Sequence, residues 1–394
     1  MDYDNLPGIN VLVAGGMGYT PGSNDGVAGL IISGIATSEI ALETTVLVQS
    51  IEDVVALGID SVYDTENVLN VYRDLKSFYD ASGDGASLYL MLVDPLVTLT
   101  EMLDKNGNYA SALLDYANGN IRLLAVNRFP DDSYTADLTN GLDGDVISAM
   151  PIAQQLAESY TSRIMPLMVL IGGRNYTGEV ASLANLKLYE YNRVGISLLG
   201  AKDSPNANIG LLLGRLARIP VSEKIGWVEA GNIFQLEVYL TDGKPISNRL
   251  SELNTIAGLH YIIALNHPHT AGSYFGRDFL ATKETDDYKF ITNRRLIDKA
   301  LVLAYKTMLP NIERGVQMNS EGKLELATIQ TFETQIENTI NRAMSGEISS
   351  ANAIIKASQN VIASGVLAIS IEIQPLAYLS KLKITLGLKN LFKE

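Results

Sequence analysis

GVLAISIEIQPLAYLSKLKITLGLK (Gly365–Lys389) sets two strand patterns one after the other around a proline. In the first, Leu367, Ile369, Ile371 and Ile373 alternate with Ala368, Ser370, Glu372 and Gln374. In the second, Leu382, Ile384, Leu386 and Leu388 alternate with Lys381, Lys383, Thr385 and Gly387. A period of two predicts strands with one buried and one wet face. Pro375 has no amide to donate and stands where the run breaks, so it separates the strands. The sequence offers no later segment to pair with the second strand. Two outcomes are therefore open: an edge strand within its own domain, or an arm that adds to a sheet in another molecule.

Upstream, two helical patterns lead into this stretch. Over Thr292–Leu309, Ile297, Leu301, Ala304 and Met308 recur at helical spacing, and Pro310 ends the run. Over Leu324–Met344, Ile329, Phe332, Ile336 and Ile340 face inward, Glu333, Glu337 and Arg342 face outward, and Gly346 closes the helix. Further back the pattern changes. Apolar runs at Leu30–Ile35, Thr44–Gln49, Leu88–Val93, Ile121–Asn127, Pro166–Ile171 and Val194–Leu199 read as strands. Helical patterns intervene at 51–58, Asn67–Tyr79, Asn108–Tyr116, Val146–Arg163, Gly178–Glu190 and Asn206–Arg218. Strands that are apolar throughout and separated by helices predict a mostly parallel sheet covered on both faces. Pro220–Leu240 turns β-like, residues 260–270 read as a strand, and Gly272–Gly276 reads as a loop. The fold expected is thus α/β for the N-terminal and middle part and α+β for the C-terminal part. The divisions fall at 1–22 (arm and first strand), 23–265 (α/β), 266–374 (C-terminal domain) and 375–394 (terminal arm).

The 394 residues are 47% hydrophobic and 19% charged, enough for roughly two or three domains. With 44 acidic and 30 basic residues the net charge is -14, which argues against nucleic acid as a partner. There is no cysteine, so neither disulfides nor thiolate chemistry enter. The first ten residues lack the basic and apolar regions of a signal peptide, and no apolar run reaches the roughly 18 residues of a membrane span. Neither secretion nor membrane insertion is expected.

Candidate chemistry is thin. Ile9–Ala14 reads as a strand containing Ile9, Val11 and Val13, and it opens into GGMGYTPG. Gly16 and Gly18 fit a dinucleotide turn, but Pro21 stands where its third glycine belongs. His260, His267 and His269 cluster in sequence; Pro268 separates the last two, and without cysteine loop histidines are the expectation. Asp286 and Asp287 are adjacent and so point apart, which suits a turn and pairing with Arg294 or Arg295 better than acid–base work. There is no G-x-S-x-G elbow or phosphate-binding loop. No cofactor and no metal are expected. Charge is more informative: Asp131, Asp132, Asp137, Asp143 and Asp145 lie in one acidic stretch, whereas Lys381, Lys383, Lys389 and Lys393 make the end basic. Such a chain is suited to head-to-tail contact with copies of itself, although a lysine-protected edge strand would carry the same charges.

Four stretches in order give a resemblance: FYDASGDGASLYLMLV (Phe78–Val93), GRLARIPVSEKIGWVEAG (Gly214–Gly231), SYFGRDFLATKETDDYKFITNRRLIDKALVLAYKTMLP (Ser273–Pro310) and IEIQPLAYLSKLKITLGL (Ile371–Leu388). Together they resemble the tail sheath proteins of contractile phages and related injection machines, of the shorter Mu-like and Bacteroidetes type. The resemblance implies a non-enzymatic subunit that stacks in rings around a tail tube, in a particle assembled in the bacterial cytoplasm. Its partners would be further copies of itself, the tube protein, and baseplate and tail terminator proteins. It implies an inner C-terminal domain carrying the two helices above, an outer α/β part, and terminal arms that add strands to neighbours. The arm residues would be Lys381, Leu382, Lys383, Ile384, Leu386 and Leu388 at one end, and Ile9, Val11 and Val13 at the other. Two other readings stay open: a Rossmann-like nucleotide-binding enzyme using Gly15–Gly18, and a self-assembling structural protein that does not contract.

Overall fold

The computed structural model describes residues 25–386 apart from Asp132, Phe234, Leu236, Lys381 and Thr385. The expected strand at Ile9–Ala14 and the Gly15–Gly18 turn lie outside the described residues. The chain begins with β1 (Ala28–Ser33), β2 (Thr45–Val48), α1 (Ile51–Ala56), α2 (Ser61–Asn67), α3 (Val71–Ser82) and β3 (Leu88–Val93). It continues through α4 (Leu99–Leu103), α5 (Ala110–Tyr116), β4 (Leu123–Asn127), β5 (Leu138–Thr139), β6 (Leu142–Asp143), α6 (Gly144–Ser162) and β7 (Met168–Gly172). Next come β8 (Glu190–Tyr191), β9 (Val194–Ser197), β10 (Leu199–Gly200), α7 (Ile209–Arg218), β11 (Tyr239–Leu240) and α8 (Leu250–Gly258). Then follow β12 (Ala264–Asn266), β13 (Ser273–Phe275) and β14 (Ala281–Thr282).

The main sheet has the order β2-β3-β1-β4-β7-β9, parallel except for β2, which runs antiparallel along β3 at the edge. β1, β4 and β7 are buried at every residue, as strands covered on both faces must be. On one side α3 and α7 pack very closely. Gly210 and Gly214 allow it, because a Cβ on either would run into the carbonyl oxygen of Asp74 or Phe78. One continuous core joins the sheet and its helices from Val27 to Ile291. Short antiparallel pairs surround it: β5 with β6, β8 with β14, β10 with β11 and β12 with β13.

The C-terminal part is a separate layer. It comprises α9 (Ile291–Met308), α10 (Leu326–Ala343), β15 (Ile348–Ile354), α11 (Val361–Ser364) and β16 (Ser370–Pro375). β15 and β16 form an antiparallel pair whose Ala351, Ala353 and Ile373 share a core with Leu296, Ala300, Ile336 and Ile340.

Four local expectations need correction. The helix expected at Gly178–Glu190 is two 3₁₀ turns, Val180–Ser182 and Leu186–Leu188. Extended backbone at Leu183 and Asn185 separates the two turns; Leu183 and Leu186 are buried while Leu188 faces solvent. The helix expected from Asn67 starts at Val71, because Asp64 of α2 accepts the amides of Tyr72 and Arg73, both at 3.0 Å, and supplies the cap from outside. Pro220–Leu240 is mostly irregular: the buried Arg215 guanidinium holds the carbonyls of Ala230 (2.7 Å), Ile225 (3.4 Å) and Trp227 (3.5 Å), standing in for a strand partner. Finally, the expected loop at Gly272–Gly276 contains β13, paired with β12 through a turn at which Gly272 takes φ 88°.

Candidate assembly interface

α10 is amphipathic as expected, with Ile329, Phe332, Ile336 and Ile340 buried. Its flank does something the pattern does not announce. Glu333, Glu337 and Asn341 stand one turn apart and meet alternate amides of β15 and the residue after it. Ile355 N–H donates to Glu333 at 2.7 Å, Ala353 N–H to Glu337 at 2.9 Å and Ala351 N–H to Asn341 Oδ1 at 2.9 Å. Asn341 Nδ2 donates back to the Ala351 carbonyl at 3.1 Å. Residues i and i+4 of a helix rise about 6 Å, and alternate residues of a strand about 6.6 Å, so the two rows keep step. One edge of the two-stranded sheet is thereby closed by side chains.

Among the described residues the other edge is open. Ala351 pairs with Ile373 and Ala353 with Ile371. In an antiparallel ladder, opposite residues turn their main-chain groups both toward or both away from each other. Since Ala351 and Ala353 turn theirs toward α10, Ile371 and Ile373 turn theirs outward. The side chain of Ile373 is buried and that of Ile371 packs against the same core, so only the edge of the backbone is offered.

β16 ends at Pro375, and the chain beyond it forms no strand ladder among the described residues. Leu382, Ile384 and Leu386 are 75%, 77% and 90% exposed, and Lys383 is exposed beside them. Lys381 and Leu388 of the expected arm, like Ile9, Val11 and Val13, lie outside the described residues. Three apolar side chains standing in water are costly to leave so, because burying such a side chain is worth about 1.5–3 kcal/mol.

α9 corrects the idea of a single inward stripe. Ile297, Leu301 and Ala304 are buried elsewhere, whereas Leu296, Ala300 and Leu303, with half-buried Met308 of the expected stripe, make the contact with α10 and the small sheet. The helix is enclosed on several sides, and its buried positions include Arg294, Arg295, Asp298 and Lys299. Expected pairing of Asp286 or Asp287 with Arg294 or Arg295 is replaced by other contacts. Asp286 accepts from Tyr288 N–H (2.8 Å), Thr282 Oγ1 (2.8 Å) and Asn192 Nδ2 (3.1 Å), which is its turn-making role. Arg294 approaches Asp298 at 3.5 Å, and Arg295 donates to the carbonyls of Asp25 and Ile219.

The histidines do not converge. His260 is buried, stacked 4.0 Å from Phe279, with Nε2 2.9 Å from Glu284; burial pushes its pKa down. His267 lies beside Tyr274, and His269 is exposed in a turn. Among the described residues no three His, Asp or Glu side chains are grouped to hold a metal. At the C-terminal ends of β4 and β7, the charges answer one another: Arg128 bonds Asp145 at 3.0 Å and Arg174 bonds Asp143 at 2.6 Å. No described helix is long and apolar enough to cross a membrane.

Residues 6–279 match the family described as DUF2586, N-terminal domain, and residues 287–393 that described as DUF2586, C-terminal domain. The chain belongs to the DUF2586 family. No curated protein sequence matches it. Among solved structures this DUF2586 protein is similar to the anti-feeding prophage (AFP) protein seen in the baseplate and in the helical sheath in contracted state. In both, the TM-score is 0.61 at 15% identity, covering 98% of this chain and 99% of that one. It is also similar to the PVC sheath complex of an extracellular contractile injection system in contracted state, with a TM-score of 0.57 at 13% identity and 99% of each chain covered. The fold of this DUF2586 member, a mostly parallel sheet with small antiparallel sheets around it, is therefore the fold of contractile sheath proteins.

Proposed function

We propose that this protein is the structural subunit of a contractile sheath, which polymerises around a tail tube and shortens to drive the tube through a target envelope. The observation that carries this reading is the extent of the likeness: the match to a contracted sheath spans 98% of this chain and 99% of the other. In this reading residues 23–265 form the outer part, 266–374 the inner sheath domain and 375–394 the linking arm. The role is mechanical and needs no catalytic residue or cofactor. Its partners are further copies, the tube protein, and the baseplate and terminator proteins at the two ends, in a particle assembled in the cytoplasm.

The linkage itself is strand addition. The outward main-chain groups of Ile371 and Ile373 accept an extended segment from a neighbour, and the Leu382–Leu388 strand is that segment. Lysines 381 and 383 stay outside it, against an acidic subunit. Negative-stain microscopy of the purified protein tests the reading: tubes or stacked rings are expected, and a monodisperse monomer at all concentrations and salts would overturn it. A chain ending at Ser380 is expected to stay folded by circular dichroism and to sediment as a monomer. Tubes from that shortened chain would show that the arm is not the link.

A further inference from the structure

The exposed segment does not hang from β16. Between Pro375 and Leu379, which is 84% exposed, one side chain turns back into the molecule. The Tyr378 hydroxyl donates to the Ser222 carbonyl at 2.6 Å, 156 residues away in sequence. Its ring lies 5.1 Å from the Lys224 ammonium, which also sits 3.7 Å from the centre of the Phe290 ring. A cation desolvated beside two aromatic rings is held more strongly than one at the surface.

Lys224 is itself the hub of the joint. Its ammonium pairs with Asp278 at 3.0 Å, and that carboxylate accepts from Thr292 N–H (2.9 Å) and Thr292 Oγ1 (2.6 Å) in the first turn of α9. Asp278 is 2% exposed and serves as the cap of that helix from outside it. Tyr378, the 222–224 segment and the start of α9 are therefore tied together by one chain of side-chain contacts.

We propose that Tyr378 is the fixed root of the arm, a positioning residue that sets where the linking strand leaves the subunit and ties it to α9 through Lys224 and Asp278. The inference rests on the sheath reading for its purpose, although not for its geometry. Leu382 follows Tyr378 by four residues but follows Pro375 by seven. Fully extended, these spans reach about 14 Å and about 25 Å. Releasing the root therefore lets the strand sample about fivefold more volume, and its effective concentration at a neighbour's edge falls by about the same factor. A rooted arm also follows any rotation of α9 directly, whereas a slack one does not.

The chain has no cysteine, so Leu379→Cys gives a unique and exposed attachment point for a spin label. In dilute protein the label is expected to be partly immobilised with Tyr378 present and freely mobile with Tyr378→Ala. Tyr378→Phe keeps the ring and loses only the bond to Ser222, and Lys224→Met removes the cation; both are expected to fall between. Equal mobility in all four proteins would overturn the root. In pelleting assays, the concentration at which assembly begins is expected to rise about fivefold for Tyr378→Ala. A mobile label with an unchanged assembly threshold would overturn the positioning role. Should the parent protein itself never assemble, the sheath reading fails, and the label still decides whether Tyr378 anchors the segment.

Discussion

Arg193 and Asp298 meet as a two-pronged ion pair, Nη1 to Oδ2 and Nη2 to Oδ1, each at 2.8 Å, although 105 residues separate them. Arg193 directly precedes β9 of the large sheet and Asp298 lies in the middle of α9, so the pair bolts the C-terminal layer to the α/β part. Both side chains are almost wholly removed from water, at 2% and 4% exposure. Asp298→Ala would strand a buried guanidinium and should cost about 3–5 kcal/mol in urea unfolding. The double change Arg193→Met with Asp298→Leu should recover only the part of that loss owed to Arg193, because buried Arg294 also faces Asp298 at 3.5 Å. A single mutant as stable as the parent would show that the pair does not hold the layers together.

The closed edge of β15 makes a second prediction. Glu337→Ala leaves the amide of Ala353, one of the two buried residues of β15, without its acceptor, worth about 1–3 kcal/mol. Glu337→Gln keeps an oxygen in place and should cost much less. The denaturation midpoints of the two variants, compared at constant slope, separate these outcomes.

Val68 ends α2 in the left-handed region, with φ 55° and ψ 40°, and is 72% exposed. A β-branched residue there carries backbone strain of about 1–2 kcal/mol, and an exposed valine has little burial to lose. Val68→Gly should therefore raise the melting temperature, with Val68→Asn close behind. Unchanged or lower melting in both would mean that the strain is absent.

Glu347 supplies the pH dependence. Burial pushes its carboxyl up to about 8 from an ordinary 4.5, and the Lys299 ammonium, 3.6 Å away and already paired with Asp25, does not offset this. The native state then holds a proton that the unfolded chain has released. Its contribution to stability is complete below about pH 4.5 and is lost as the pH rises toward about 8. The stability difference between Glu347→Gln and the parent should accordingly grow in favour of the mutant from pH 5 to pH 8. A flat difference would place the Glu347 carboxyl in ordinary solvent.

Much of this protein follows from local pattern, because the period of apolar residues is a property of neighbours along the chain. The strands at Leu88–Val93 and Met168–Gly172, the α10 stripe from Ile329 to Ile340 and the alternation at Ile371 and Ile373 were all legible that way. The alternation over Leu382–Leu386 predicted a strand, whereas Leu382, Ile384 and Leu386 stand exposed and outside any ladder among the described residues. What only the tertiary structure decided are the contacts between residues far apart in sequence. No period reveals that Asp64 caps α3, that Glu333, Glu337 and Asn341 seal one strand edge and leave the other open, or that Tyr378 reaches Ser222. Charges mislead most: Arg294 and Arg295 were expected to pair with Asp286 or Asp287, yet packing encloses α9 and buries both beside Asp298 and Lys299. A charged side chain is drawn to solvent only until a partner is brought to it, and where that partner comes from is a matter of topology.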